Sequence, residues 1–142
     1  MFDPSTRFLV VDDMGTMLIV LRNKLKELGY HDVTTAENGY EAFALLEKRQ
    51  IENPSEQFQA VISDWMMPVM NGLELLVKIR EDERFKAIPF MLVTAEGEAK
   101  SIQKSIVLEC DGYLQKPINT EKLGRLFSEA VQRIKMRQRA AR

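Results

Sequence analysis

The chain alternates short apolar runs with longer segments of helical periodicity, and there are five of each. The runs are Phe8–Val11, Asp32–Ala36, Ala60–Ser63, Phe90–Thr94 and Gly112–Gln115. Strands that are separated by helices pair in parallel through right-handed crossovers. The alternation therefore predicts an α/β fold, a doubly wound sandwich with one five-stranded parallel sheet between two helix layers. The first, third and fourth runs are almost wholly apolar, which indicates central strands, whereas the second and fifth are weaker and indicate edges.

The helical segments have recognisable ends. They are Thr16–Leu28, Tyr40–Arg49, Gly72–Arg80, Lys100–Leu108 and Thr120–Gln138. Gly29 can end the first helix and Asn71 can cap the third. The segment Ile51–Gln57 reads as a polar loop. Leu18 and Ile19 fall outside the buried face of the first helix, so we expect both to be exposed, as scattered apolar residues or as a small partner surface.

The composition excludes several classes of protein. The chain has 142 residues, enough for one domain with a sizeable core, and its net charge of −1 gives no indication of nucleic-acid or membrane-surface binding. Cys110 is the only cysteine, so there is no internal disulfide. The chain also has only one histidine, and one cysteine with one histidine do not supply the ligands of a structural zinc site. The N-terminus lacks the pattern of a signal peptide, and no apolar run approaches the roughly 20 residues of a membrane span. We expect a cytoplasmic protein.

Polar residues lie at the points where the predicted strands end. They are Asp12-Asp13, Asp64, Thr94 and Lys116-Pro117. Because ligands of open parallel sheets bind at the carboxyl ends of the strands, these side chains are expected to meet. Three carboxylates on one rim repel one another unless a cation is present, and oxygen ligands in a half-open site suit Mg²⁺. A lysine and a hydroxyl beside them suit a phosphoryl group.

The motifs VVDD, SDWMMPVMNG, LVTAE and GYLQKP occur in this order along the chain. Together they resemble a response-regulator receiver domain of the CheY-like kind, from about Arg7 to Val131. The resemblance implies the flavodoxin-like (βα)5 fold with strand order 2-1-3-4-5. We expect residues 1–131 to form a single receiver domain, whose last helix continues to about residue 138.

The resemblance also implies the roles of individual residues. Asp64 would be the phosphoacceptor, and Mg²⁺ would be held by Asp12, Asp13, Asp64 and the backbone carbonyl of Met66. Lys116 would pair with Asp64 at rest and with the phosphoryl oxygens after transfer. The peptide bond between Lys116 and Pro117 is expected to be cis. The remaining expected members of the site are the switch residues Thr94, which would donate its hydroxyl to the phosphoryl group, and Tyr113, which would shift between inward and outward positions.

Two further positions are expected to set the lifetime of the phosphorylated state. Met66 lies two residues after Asp64, and Glu96 lies two residues after Thr94. Both would flank the path of an attacking water molecule. Since the side chain of Met66 cannot orient water, we expect Met66→Asn to speed the loss of phosphate.

These assignments imply a response regulator of a two-component phosphorelay. A histidine kinase or phosphotransfer protein would donate the phosphoryl group, and a protein target would bind the face made by the fourth helix, fifth strand and fifth helix. The protein would be a switch and not an enzyme, although it assists its own phosphorylation and dephosphorylation. The overall likeness favours a single-domain chemotaxis or motility regulator, a monomer or weak dimer, with no direct nucleic-acid binding and no membrane insertion.

Four other functions are considered. The chain could be a receiver module of a larger or non-chemotaxis phosphorelay protein. It could be a Mg²⁺-dependent phosphatase that forms an aspartyl phosphate, but such enzymes place a second acid where this chain has Met66. A flavin-binding module would suffer repulsion between its phosphate and Asp12-Asp13, and a degenerate receiver would not keep the complete set of acids, Thr94 and Lys116.

The C-terminus is basic. Residues 132–142 carry five cations, which are Arg133, Lys135, Arg137, Arg139 and Arg142. They indicate a helix end, where cations interact favourably with the helix dipole, followed by a frayed tail. An acidic partner and a linker to another domain are the alternatives.

Overall fold

The computed structural model describes residues 1–95 and 109–140 of the chain, and its strands confirm the predicted sheet. The strands are β1 (Phe8–Val11), β2 (Val33–Ala36), β3 (Ala60–Asp64), β4 (Phe90–Thr94) and β5 (Gly112–Gln115). All of them pair in parallel, in the order β2-β1-β3-β4-β5. The two weaker runs lie at the edges, as their composition predicts, because an edge strand buries less of its surface.

Four α-helices connect or follow these strands in the described part of the chain. They are α1 (Gly15–Glu27), α2 (Gly39–Glu52), α3 (Gly72–Glu81) and α4 (Thr120–Ala140). The helix α4 corresponds to the fifth predicted helix and runs two residues beyond its predicted end. The fourth predicted helix, Lys100–Leu108, lies outside the described residues. None of the described helices has the length and apolar character that crossing a bilayer requires.

The sheet separates two apolar layers because side chains alternate along each strand. On one face, Leu9 and Val61 pack with Leu46 of α2 and Leu76 of α3. On the other face, β1 and β3 residues pack with α1 and α4; Phe8 stacks on Phe127, with ring centroids 5.5 Å apart. Helices therefore pack on both faces of the sheet. This packing fixes the ends of the strands relative to one another.

Two local predictions are wrong. The segment Ile51–Gln57 is not all loop, because α2 continues to Glu52 and Pro54–Glu56 forms a turn of 3₁₀ helix. Exposed Ile51 adds nothing to the apolar stripe, so the sequence did not indicate this last turn. Leu18 is partly buried against the α1/α4 layer, whereas Ile19 is exposed as expected.

A buried ion-pair cluster lies at the amino end of β5 and was not predicted. Asp111 accepts hydrogen bonds from Arg80 of α3 at 2.9 Å and from the backbone N–H of Phe90 at 2.8 Å. Its other oxygen accepts a short hydrogen bond from Arg137 of α4. Arg80 also donates to the carbonyls of Lys86 and Ile88. The end of α4 is thus tied to the domain by one of the cations that the sequence assigned to a helix end or tail.

Candidate functional site

Three carboxylates meet at the carboxyl edge of the sheet. Oxygen atoms of Asp12, Asp13 and Asp64 all lie within 4.8 Å of one another. The strand register explains this, since β1 and β3 are neighbours and Val11 lies opposite Ser63, which places the next residues of both strands side by side. Asp12 and Asp64 are buried, while Asp13 is exposed. The sequence therefore predicts this cluster correctly as a set of neighbours.

Lys116 reaches the same cluster from the end of β5. Its Nζ atom lies 3.5 Å from an oxygen of Asp12 and 3.5 Å from an oxygen of Asp64. The Lys116–Pro117 peptide bond is cis, as in the expectation from the resemblance. One ammonium group faces three carboxylates, so the cluster keeps an excess of negative charge that a cation can neutralise.

The buried carboxylates are hard to ionise in the absence of such a cation. The pKa of Asp64 is raised from 3.8 to about 6, first by burial and then by the charge of Asp12. Lys116 and the N–H of Trp65, which donates to Asp64 at 2.9 Å, oppose this shift. The pKa of Asp12 is also raised, mainly by burial, although the N–H of Met14 donates to it. The site is therefore electrostatically frustrated and ready to bind positive charge.

Two buried oxygen atoms of the site lack hydrogen-bond partners within the described residues: Oδ2 of Asp12 and Oγ1 of Thr94. Buried polar groups of proteins nearly always have hydrogen-bond partners, so these two atoms are suited to contact a bound ion, a ligand or a water molecule. A carboxylate oxygen at a half-open rim is a donor that Mg²⁺ accepts readily. The hydroxyl of Thr94, at the end of β4, can donate to an anionic oxygen. The donor set fits a divalent cation and an oxyanion together.

The loop between β3 and α3 folds closely over the end of β3. The N–H of Gly72 donates to the carbonyl of Trp65 at 2.8 Å, and a Cβ atom on Gly72 would lie 2.1 Å from the carbonyl oxygen of Asp64. Only glycine allows this approach. Asn71 caps α3 in a reciprocal capping box with Glu74, which confirms its prediction as a cap. The start of α3 is therefore fixed against the residue that carries the carboxylate.

The other predicted site residues lie around this cluster or outside the described part. Met66 follows the strand end with its side chain 62% exposed. Tyr113 is exposed on the edge strand β5. Glu96 falls outside the described residues. Sequence reasoning missed Asp111, because its arginine partners are 26 and 31 residues away and no local spacing marks them. The sequence shows only an acid directly before the edge strand β5.

Comparisons with known proteins agree with this fold. The family model of the response regulator receiver domain matches residues 8–127. The chain is 38% identical over 117 residues to the chemotaxis protein CheY1 of Helicobacter pylori, covering 82% of this chain and 90% of that protein. It has the same identity over 117 residues with the chemotaxis protein CheY homolog of Campylobacter jejuni, covering 82% of this chain and 85% of that protein.

Solved structures give the same result. The chemotaxis response regulator CheY4 of Vibrio cholerae superposes with a TM-score of 0.75 at 30% identity, covering 89% of this chain and 98% of that one. A protein from Chloroflexus aurantiacus superposes with a TM-score of 0.77 at 26% identity, covering 89% of this chain and 98% of that one. Because the family model covers most of the chain and the relatives match along nearly their full length, the chain belongs to the response regulator receiver domain family and is a CheY-like member of it.

Proposed function

We propose that Asp64 accepts a phosphoryl group from a phosphohistidine, and that the modification switches the binding of a protein partner. The observation that carries this proposal is the electrostatically frustrated cluster at the carboxyl edge. Three carboxylates lie around one lysine, whose Nζ is 3.5 Å from oxygens of Asp12 and Asp64, and buried oxygens of Asp12 and Thr94 have no hydrogen-bond partner among the described residues. A receiver domain with this arrangement has places for both a cation and a phosphoryl group.

The cation is Mg²⁺ in this proposal. Asp12, Asp13, Asp64 and the backbone carbonyl of Met66 would hold it, with water filling the remaining positions. When bound, Mg²⁺ would neutralise negative charge on the carboxylates and on the incoming phosphoryl oxygens. The raised pKa of Asp64 supports this assignment, because burial and the charge of Asp12 cause it and a bound cation would remove the penalty.

The chain's own residues would position the phosphoryl group. An oxygen of Asp64 would form the new bond to phosphorus while the bond to the histidine nitrogen of the donor breaks. Lys116 would move from the Asp64 carboxylate, 3.5 Å away at rest, to an oxygen of the transferred group. The buried hydroxyl of Thr94 would donate its hydrogen bond to a second phosphoryl oxygen. Both contacts would pull the ends of β4 and β5 toward Asp64.

The output surface would be next to these strands. It would consist of β5, α4 and the segment Lys100–Leu108. A groove of about 260 Å³ between β5 and α4 is lined by Tyr113, Arg125 and Glu129 among others, and could receive a side chain of a target protein. A shift of Tyr113 between outward and inward positions would change the shape of this groove. Binding, not turnover of a substrate, would be the main output.

The cellular setting follows from the named relatives. Proteins of Helicobacter pylori and Campylobacter jejuni with 38% identity are described as chemotaxis proteins, which supports a role in chemotaxis or motility. In this role the protein would act in the cytoplasm as a single receiver domain, residues 1–131, and as a monomer or weak dimer. A histidine kinase or a phosphotransfer protein would be the donor.

Incubation with Mg²⁺ and a small acyl phosphate, followed by intact mass measurement, tests the proposal. We expect wild type to gain the mass of one phosphoryl group and Asp64→Asn to gain none. Asp32→Asn, which changes an exposed carboxylate away from the site, is the matched control and should be labelled normally. Labelling that needs no Mg²⁺, or that persists in Asp64→Asn, would contradict the assignment.

A further inference from the structure

Sulfur atoms are unevenly exposed in this protein. Of its eight methionines, Met67 and Met91 are buried, while four have more than half of their surface exposed. The exposed ones are Met1, Met14, Met66 and Met136. Oxidation of methionine to the sulfoxide depends on access of the oxidant to the thioether, so these four are the most accessible sites.

Cys110, by contrast, is a poor target for oxidation. It is buried, and its thiol lies 2.8 Å from the carbonyl oxygen of Gly112. Burial also raises the pKa of the thiol to about 11, and the thiolate is the form that oxidants attack. Mild oxidation of this chain therefore falls on thioethers.

Met66 differs from the remote exposed methionines in its position. The N–H of Trp65 donates to the carbonyl of Val93 at 3.1 Å, which continues the β3–β4 pairing one residue beyond Asp64. Met66 lies two residues after Asp64, at the start of the loop between β3 and α3 that borders the carboxylate cluster.

Packing does not explain a methionine at this position. The side chain of Met66 is 62% exposed, so it adds little to the core. Its neighbour Met67 is buried and fills the α2/α3 layer. A thioether is a weak hydrogen-bond acceptor, and so it cannot hold a water molecule well at the mouth of the site. Oxidation would change this property without changing the fold around it.

We propose that Met66 is a site of reversible oxidation that shortens the lifetime of the phosphoryl group on Asp64. A hydroperoxide transfers one oxygen atom to the Met66 sulfur, which loses two electrons, and the peroxide leaves as water or an alcohol. A thiol-dependent sulfoxide reductase returns the thioether. The inference rests on the proposed function, because it concerns the state in which Asp64 is phosphorylated.

The sulfoxide oxygen is a strong hydrogen-bond acceptor on a side chain of nearly unchanged length. At the mouth of the site it can accept a hydrogen bond from a water molecule and orient that water toward the phosphorus atom of modified Asp64. Phosphate is then lost by hydrolysis at phosphorus, which leaves the carboxylate intact. We expect a rate about fivefold higher, the equivalent of about 1 kcal/mol at tenfold per 1.36 kcal/mol.

The test combines peptide mapping with decay measurements. Wild type, Met66→Leu and Met136→Leu are treated with dilute hydrogen peroxide, cleared of oxidant, labelled with an acyl phosphate and Mg²⁺, and followed by intact mass. We expect a sulfoxide at Met66 and faster decay in wild type and Met136→Leu. In Met66→Leu, peroxide should leave the decay rate unchanged. Met136, which is 66% exposed on α4 and remote from the site, controls for oxidation as such.

The outcomes separate the inference from the proposed function. If untreated wild type is labelled normally but peroxide does not change its decay rate, the inference alone is overturned. The same holds if Met66→Leu still responds to peroxide, since the effect would then arise at another methionine such as Met14. Untreated wild type that takes no phosphoryl group would overturn the proposed function and the inference with it.

Discussion

Asp64→Asn is expected to stabilise the metal-free protein at neutral pH, although it removes the proposed phosphoacceptor. Asp64 is 7% exposed, and its pKa is raised from 3.8 to about 6 by burial and by the charge of Asp12. Folding therefore places a charged carboxylate where the neutral acid is preferred. An amide of similar shape imitates the neutral acid, so the variant folds without this cost.

The size of the effect follows from the shift of the pKa. At about 1.36 kcal/mol per pKa unit, the charged form of Asp64 lowers the free energy of unfolding at pH 7 by on the order of 3 kcal/mol. For a chain of this length, about 1 kcal/mol changes Tm by about 3 °C. The variant is therefore expected to melt roughly 10 °C above wild type in metal-free buffer.

The pH dependence gives the sharper signature. Because the pKa of Asp64 is higher in the folded state than in the unfolded state, the folded protein binds the proton more tightly. The stability of wild type should then fall as the pH rises from about 4 to about 6, and the variant should lack this contribution. The difference between the two proteins is near zero below pH 4 and complete above pH 6.

Urea unfolding followed by circular dichroism, across this pH range and with a chelator present, measures the difference. Asp32→Asn is the control for removing an exposed carboxylate and should change the free energy of unfolding by less than about 0.5 kcal/mol. Saturating Mg²⁺ should reduce or reverse the difference in unfolding free energy, because Asp64 would be a ligand of the proposed metal site and wild type would then bind the ion more tightly. A variant no more stable than wild type at neutral pH, or a gain that does not vary with pH, would refute the reasoning.

Three further substitutions have defined outcomes. Asp111→Asn leaves buried Arg80 without its countercharge and should lower the free energy of unfolding by about 3 to 5 kcal/mol, measured by urea unfolding. Gly72→Ala places a Cβ against the carbonyl of Asp64, so it should weaken Mg²⁺ binding in a titration followed by tryptophan fluorescence, even where the fold survives. Asn71→Ala removes the cap of α3 and should cost about 1 kcal/mol in the same unfolding assay, while Asn71→Asp, which keeps an acceptor, should cost less.

The sequence was sufficient to predict a residue's place in the site wherever that place depends only on the strand that carries the residue. Near-continuous apolar runs indicated the central strands, and the acids at the carboxyl ends of β1 and β3 were predicted as neighbours because parallel strands end at one edge. The prediction for Asp64 required only that the apolar run before it be a strand. The same logic placed Lys116 in reach of the cluster.

The sequence was insufficient to predict structural details that depend on contacts between distant segments. The last turn of α2 was missed because Ile51 is exposed and breaks the apolar stripe. Leu18 was expected to be exposed, but it packs against the α1/α4 layer. Its burial depends on the neighbouring helix, whose position the sequence of α1 does not indicate. The partner of Arg137 could not be inferred either, because helix-end cations usually face solvent and nothing local points to Asp111.

The two ends of the sheet treat buried carboxylates in opposite ways, and this contrast separates stability from function. At the amino end, burial raises the pKa of Asp111 too, but two arginines and a backbone N–H donate hydrogen bonds to it, and without its charge Arg80 and Arg137 lose their ion-pair partner. At the carboxyl end, Asp12 and Asp64 share one lysine at 3.5 Å, and an oxygen of Asp12 has no hydrogen-bond partner among the described residues. Selection for stability alone would remove the second arrangement, because neutral residues there would fold better. Binding of a ligand that supplies the missing positive charge explains why the cluster is retained. The same substitution, Asp to Asn, should therefore destabilise the protein at Asp111 and stabilise it at Asp64.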